Sequence, residues 1–240
     1  MNPGFRVLAL STVPDVTGLR RLHCLPDSLS DTEVAEYAFQ RRRATRIDDL
    51  LPPHFQQLAA FASAGFENGR IVLASCCATD EARVLDAIFQ SLAGLEQVDR
   101  WSGQEASLAC IRTRAMLRPV FPADDAAWLQ CAAPAFGEWF GDAEGAAELS
   151  VIARLACLPL ARGFHHEAVW KQVQQGEYAL VQAEVELRAL CALFLRLRQA
   201  VLLGQQAPAA LAAARSGLRQ LVQARPDSPH LAAFEQAWPA

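Results

Sequence analysis

Few side chains in this sequence combine a reactive type with a useful spacing. His165-His166-Glu167 offers two imidazoles and a carboxylate, donor types that divalent metals accept. Side chains adjacent in sequence diverge, however, and no partner motif follows. His54 stands alone, with no second ligand at metal-site spacing. The seven cysteines (Cys24, Cys76, Cys77, Cys110, Cys131, Cys157, Cys191) are odd in number and form no Cys-x-x-Cys. Apolar neighbours around most of them predict small buried hydrophobes rather than metal or redox groups. Arg41, Arg42, Arg43 and Arg46 form the densest cationic cluster. Guanidinium forks suit phosphate oxygens. A solvated helix end is the competing reading, because cations are stabilised at the negative, C-terminal end of the helix dipole. Glu184 and Arg188 lie one helical turn apart and read as an i,i+4 ion pair.

The scaffold for these residues is that of a globular protein. The chain has 240 residues, 52% hydrophobic and 20% charged, enough to bury one sizeable core. A net charge of −4 excludes a global field attracting nucleic acid, so any phosphate binding needs a local patch. All basic residues except Lys171 are Arg. No apolar run is long enough to span a bilayer, which predicts no membrane partner. A charged-then-apolar leader is absent, which makes a cytoplasmic location the expectation.

The elements follow from pattern. Val7, Leu8 and Leu10, closed by Thr12-Val13-Pro14-Asp15, read as a buried strand. Gly18 to Ser30 reads as a polar connection, and Ser30 or Asp31 caps a helix to about Arg43. Leu58–Phe66 and Ile71–Cys76 flank Asn68-Gly69, a strong hairpin signal. Val84, Leu85, Ile88, Phe89 and Leu92 recur at helical spacing up to Gly94. A short strand over Gln97–Trp101 and a helix from about Glu105 to Leu117 come next. Between Arg118 and Glu144 only Trp128–Ala132 suggests a strand. From Ala146 onward the pattern is helical, including a long helix over about Tyr178–Leu203. Two further helices follow, the last capped by Ser228-Pro229.

Three stretches resemble a bacterial family of 3′–5′ exonucleases related to the proofreading domain of family B DNA polymerases. Arg6–Asp15 resembles the family's first strand, Asp-x-Glu-Thr-Val-Pro-Asp. Thr12-Val13-Pro14-Asp15 is intact, while Ala9 and Ser11 stand at the two metal-binding acids. The segment Leu51-Pro52-Pro53-His54 resembles the family's Leu-Pro-x-His. Arg100-Trp101-Ser102-Gly103 resembles its Ser-Trp-Asn-Gly, with Ser102 at the Asn and Ser107 at the following metal-site Asp. Its last motif, a Tyr with an Asp four positions later, falls on Glu184 and Arg188.

The resemblance implies an α/β RNase H-like mixed sheet flanked by helices over residues 1–204, with a helical C-terminal extension over 205–240. Active relatives use two Mg²⁺ or Mn²⁺ ions held by four acids, one ion generating the attacking hydroxide and one stabilising the leaving oxygen. Magnesium requires hard carboxylate oxygens. With Ala9, Ser11, Ser107 and Arg188 at the four positions, no catalytic residue and no metal cofactor are expected. Three functions compete: a non-catalytic module binding single-stranded nucleic acid, a protein-interaction scaffold, and an active exonuclease with substitute ligands among Glu105, Glu184 and Glu186. For the first, the candidate contacts are Thr12, Trp101, Ser102, Arg188 and Arg41, Arg42 and Arg43.

Overall fold

The computed structural model describes residues 5–45, 51–102, 107–130, 135–141, 147–160 and 166–238. Its centre is a four-stranded mixed sheet flanked by helices, with strand order β3-β2-β1-β4. Strand β1 (Phe5–Pro14) pairs antiparallel with β2 (Gln56–Glu67) and parallel with β4 (Asp99–Arg100), and β2 pairs antiparallel with β3 (Arg70–Cys77). The predicted N-terminal strand is therefore an interior strand. Asn68 and Gly69 turn the β2–β3 hairpin with φ of 50° and 78°. Both are left-handed, the conformation that Asn and Gly adopt at least cost.

Alternation along β1 divides the core. Val7, Ala9 and Val13 join one apolar cluster; Leu8 and Leu10 join the other. The second cluster is covered by α3 (Glu81–Ser91) and α4 (Leu108–Leu117), through Val84, Leu85, Ile88, Cys110 and Ile111. The first lies under the 25-residue α7 (Tyr178–Leu202). Here the strands present Ala9, Ala60, Ala62 and Ala64, and the helix presents Ala189 and Ala192. Small residues on both sides let a long helix lie close to the sheet.

Shorter helices complete the fold. α5 (Leu149–Leu155) and α6 (His166–Gln174) pack on the α7 side. The last two, α8 (Ala209–Ala224) and α9 (Pro229–Ala237), also join that core, through Ala214, Leu218, Leu231 and Phe234. Gly217 eases the close approach of α8 to β3, since a Cβ there would sit 3.1 Å from the Ile71 backbone N.

Two expectations are corrected. Val16–His23, which overlaps the start of the predicted polar connection, is a helix, α1, packed on α2 (Asp31–Arg43). Asp15 starts it by accepting from Gly18 N at 3.0 Å, and Val16 and Leu19 bury its inner face. Its eight residues are too few for periodicity to separate them from a polar loop. Trp128, predicted in a strand, lies in a short 3-10 helix, Ala127–Leu129, and packs against Phe89. Residues 131–132 of that predicted strand lie outside the described residues. The α2 helix is as predicted, with Ser30 and Glu33 forming a reciprocal capping box. Among the described residues no helix is long and apolar enough to cross a membrane.

Candidate functional site

In α7, Val185, Arg188, Ala189 and Ala192 follow the i, i+3, i+4, i+7 spacing of one helix face. That face meets the sheet, so Arg188 is carried beneath the helix onto β1. Its Nη2 donates to Ser11 Oγ at 2.6 Å and to the Leu10 carbonyl at 2.9 Å. Residues 177 apart in sequence thus meet, both at positions where the resemblance expects metal-binding acids. Ser11 is 0% exposed, Ala9 2% and Arg188 2%. Magnesium keeps several waters in an octahedral shell. A point sealed from solvent and occupied by a guanidinium offers neither the waters nor the oxygen anions.

The same strand end carries a register shift. Ser11 pairs with Ala60 and Thr12 with Leu58, leaving Ala59 as the extra residue of a bulge in β2. Just beyond it, Thr12 Oγ1 lies 3.2 Å from His166 Nδ1. His166 is buried, so the His-His-Glu segment turns one imidazole inward to the strand. Glu167 pairs instead with Arg43. His165 lies outside the described residues.

The other candidate positions have structural partners. Ser107 caps α4, accepting from Cys110 N at 3.1 Å. Trp101 is 1% exposed; Phe140 stacks on its ring at 5.2 Å, Phe136 meets it edge-on, and its Nε1 donates to the Ala147 carbonyl. Its ring has no face for a base, so it does not serve as a nucleic-acid contact. Gly137 sits against it so closely that a Cβ would lie 2.3 Å from the Trp101 carbonyl oxygen. Ser102, beside it, is half-buried. Arg188 is likewise too buried to touch a strand of nucleic acid, and it reaches β1 rather than Glu184. Among the described residues, Glu184 has no ion partner.

The substitute ligands fare no better. Glu186 is buried and faces away from this point. It accepts from Ser75, from Arg225 Nη1 at 3.4 Å, and meets His230 Nε2 at 2.6 Å. Glu105 lies outside the described residues. Among the described residues no cluster of three His, Cys, Asp or Glu side chains could hold a metal ion.

The basic cluster at the end of α2 divides. Arg43 pairs with Glu36 and Glu167, while Arg41 is exposed and hydrogen-bonds Tyr37 Oη at 3.0 Å. Arg42 is half-buried; Arg46 lies outside the described residues. Tyr37 also meets His23 of α1 at 5.5 Å between ring centroids. His23 in turn meets Phe55 at 5.9 Å, and His54 packs on Phe55 at 4.2 Å. Three segments thereby build one aromatic and cationic face.

Sequence reasoning missed a heavily paired buried cluster. Arg114, 1% exposed, forks onto Glu81 at 2.8 and 2.7 Å and bonds Asp15 at 2.6 Å. Glu81 also accepts from Leu58 N and Arg118. Burial works against the Arg114 charge, but the hydrogen bonds and charges of Glu81 and Asp15 outweigh it and raise its pKa. The sequence signal was an Arg at i+3 and i+4 from the buried Ile111 and Cys110. The cysteine expectation is corrected in part: Cys110 and Cys191 are buried, Cys76 and Cys77 are half-buried, and Cys24 and Cys157 are exposed. The two exposed thiols sit in left-handed positions just past helix ends, at φ of 50° and 59°.

Comparison with protein-family models finds no match. A search of curated proteins finds no matching relative, and a search of solved structures finds no matching fold.

Proposed function

We propose that this chain is a catalytically degenerate protein of the RNase H-like exonuclease architecture, binding single-stranded nucleic acid without cutting it. The observation that carries the loss of catalysis is the Arg188–Ser11 hydrogen bond, buried at two aligned acid positions. The strand order, with β2 antiparallel to both neighbours and β1 parallel to β4, supports the RNase H-like topology. Binding is assigned to the face of His23, Tyr37, Arg41, His54 and Phe55, where Arg41 and His54 are exposed and the other three half-buried, not to the closed site. Aromatic faces stack bases and a guanidinium holds phosphate, the pairing that serves single strands.

The test has two arms. A 5′-labelled single strand incubated with Mg²⁺ or Mn²⁺ stays full length; progressive shortening overturns the degenerate reading. Fluorescence anisotropy on the same strand detects binding that weakens with salt. Arg41→Ala lowers its salt slope by about 0.7, one single-strand phosphate contact, and Arg188→Met leaves affinity unchanged. Absence of binding at low salt rejects the nucleic-acid reading. It leaves the protein-interaction scaffold, which the exposed apolar surface around Leu155 and Leu202 supports.

A further inference from the structure

We infer that this chain binds a single neutral sugar in a recess of about 200 Å³ at the carboxyl ends of β1 and β3. Val13 and Pro14 end β1, Ala78 and Thr79 follow β3, and all four line the recess. Both strands run antiparallel to β2, so their carboxyl ends point the same way. In open α/β sheets, ligands bind outside the carboxyl ends of the strands. Ala59, the extra residue of the β2 bulge, borders the recess as well. Bulges recur beside functional sites because they end strand pairing and re-aim side chains.

The class of ligand follows from the side chains that line the recess. Thr17 comes from α1, Asp31 from α2, Gln57 from β2, Thr79 from the turn between β3 and α3, Trp170 from α6 and Tyr178 from α7. Six segments thus offer a hydrogen-bonding group apiece. Among the described residues, the side chains of Thr17, Gln57, Thr79 and Tyr178 make no hydrogen bond within the chain. The indole N–H of Trp170 is buried and also lacks an acceptor among the described residues. Unmet buried donors are rare, and one at the wall of a recess calls for an acceptor from outside the chain. Hydroxyl and amide groups both donate and accept, as the hydroxyls of a sugar ring do, and the Trp170 and Tyr178 rings suit its apolar C–H faces. A nucleobase would offer hydrogen bonds at its edge alone and leave groups on other segments unmet. Anions are disfavoured: among the described residues the lining holds no Arg, Lys or His, and its one charge is the Asp31 carboxylate, paired with Arg20 at 3.0 Å. The volume is that of about seven waters, the room of one sugar ring. This inference stands independently of the nuclease and nucleic-acid readings.

Saturation-transfer NMR on the full chain tests it, with D-glucose, D-galactose, D-mannose, D-xylose and N-acetyl-D-glucosamine as probes. At least one gives a saturable signal, which inorganic phosphate, adenosine and uridine leave unchanged. Thr79→Val and Tyr178→Phe each remove one hydroxyl and weaken the affinity by about three- to tenfold, the scale of one hydrogen bond, with an unchanged circular dichroism spectrum. Leu202→Ala, at the other end of α7 and about 36 Å away along the helix, leaves the affinity unchanged. Should Tyr178→Phe misfold, Thr79→Val, at an exposed residue, decides. Absence of saturable binding by every sugar overturns the inference, as does binding that survives both hydroxyl removals. Displacement of the sugar by phosphate or by a nucleoside also overturns it, and would assign the recess to that ligand instead.

Discussion

At the residue scale, the polar groups inside the protein are bound to structural tasks. Asp15 caps α1 and holds Arg114, and Gly18 is the residue that tolerates it, since a Cβ there would lie 2.6 Å from Asp15 Oδ2. Asp15, at the end of Thr12-Val13-Pro14-Asp15, therefore has a use that needs no metal, while Ala9 and Ser11 lie under α7. Arg114 is the most consequential of these groups. Arg114→Ala would leave the carboxylates of Glu81 and Asp15 facing each other in the core, and breaking a buried pair from one side costs about 3–5 kcal/mol. Urea denaturation at neutral pH is expected to report a loss in that range. A loss under about 1 kcal/mol, the scale of an exposed pair, would mean that water reaches the cluster. The double change Glu81→Gln with Arg114→Met should recover part of the loss, because no unpaired charge remains between those two residues.

At the element scale, the C-terminal helices are tied down by polar contacts as well as by the core. Arg225, between α8 and α9, donates to the Leu73 carbonyl at 2.5 Å and to Glu186, and His230 at the start of α9 meets Glu186 from the other side. Phe194 of α7 stacks with Phe234 and meets Trp238 edge-on at 4.3 Å. Since Glu186 keeps Ser75 and Arg225 when the imidazole is removed, His230→Ala should cost about 1–3 kcal/mol, the range for a buried acceptor losing a partner. The loss is expected to be local: hydrogen exchange should quicken in Pro229–Ala237 and stay slow in β1 and β2. Uniform acceleration across the sheet would show that the helices and the sheet unfold as one unit.

For the whole molecule, burial of Cys110 makes stability depend on pH at the alkaline end. Desolvation pushes its thiol up from the ordinary 9 to about 12, with Glu81 adding to the rise and Arg114 opposing it. In the unfolded chain the thiol ionises above about pH 9; in the folded protein it keeps its proton. The stabilisation is thus complete below the unfolded pKa and lost as pH rises toward the folded one. Unfolding free energy should fall between pH 9 and 11 by on the order of 1.4 kcal/mol per pH unit from this group. In Cys110→Ala the slope across that window should be shallower, whatever the variant's absolute stability. An unchanged slope would assign the alkaline loss to other groups.

Much of the fold was legible in local chemistry. The buried run Val7–Leu10, the Asn68-Gly69 hairpin, the Ser30 cap and the periodicity of α3 and α7 are each encoded within a few residues, where propensity and spacing agree with the final packing. Elements without that local redundancy were not legible: α1 has only two buried positions, and Trp128 sits in a single 3-10 turn. The candidate site divides in the same way. From the sequence alone, the exonuclease resemblance sets Ala9, Ser11, Ser107 and Arg188 where its active members carry metal-binding acids, and that these four side chains bear no carboxylate needs no coordinates. Where Arg188 points could not be read, because an Arg on a half-apolar helix serves equally as a surface cation, a pair for Glu184 or a buried donor. Only the packing of α7 onto a sheet face of alanines decided it, carrying the guanidinium to Ser11 and out of solvent. Tertiary structure likewise brought His23, Tyr37 and Phe55 together and left Leu155 and Leu202 uncovered, contacts and exposures set by distant segments rather than by neighbours in the chain.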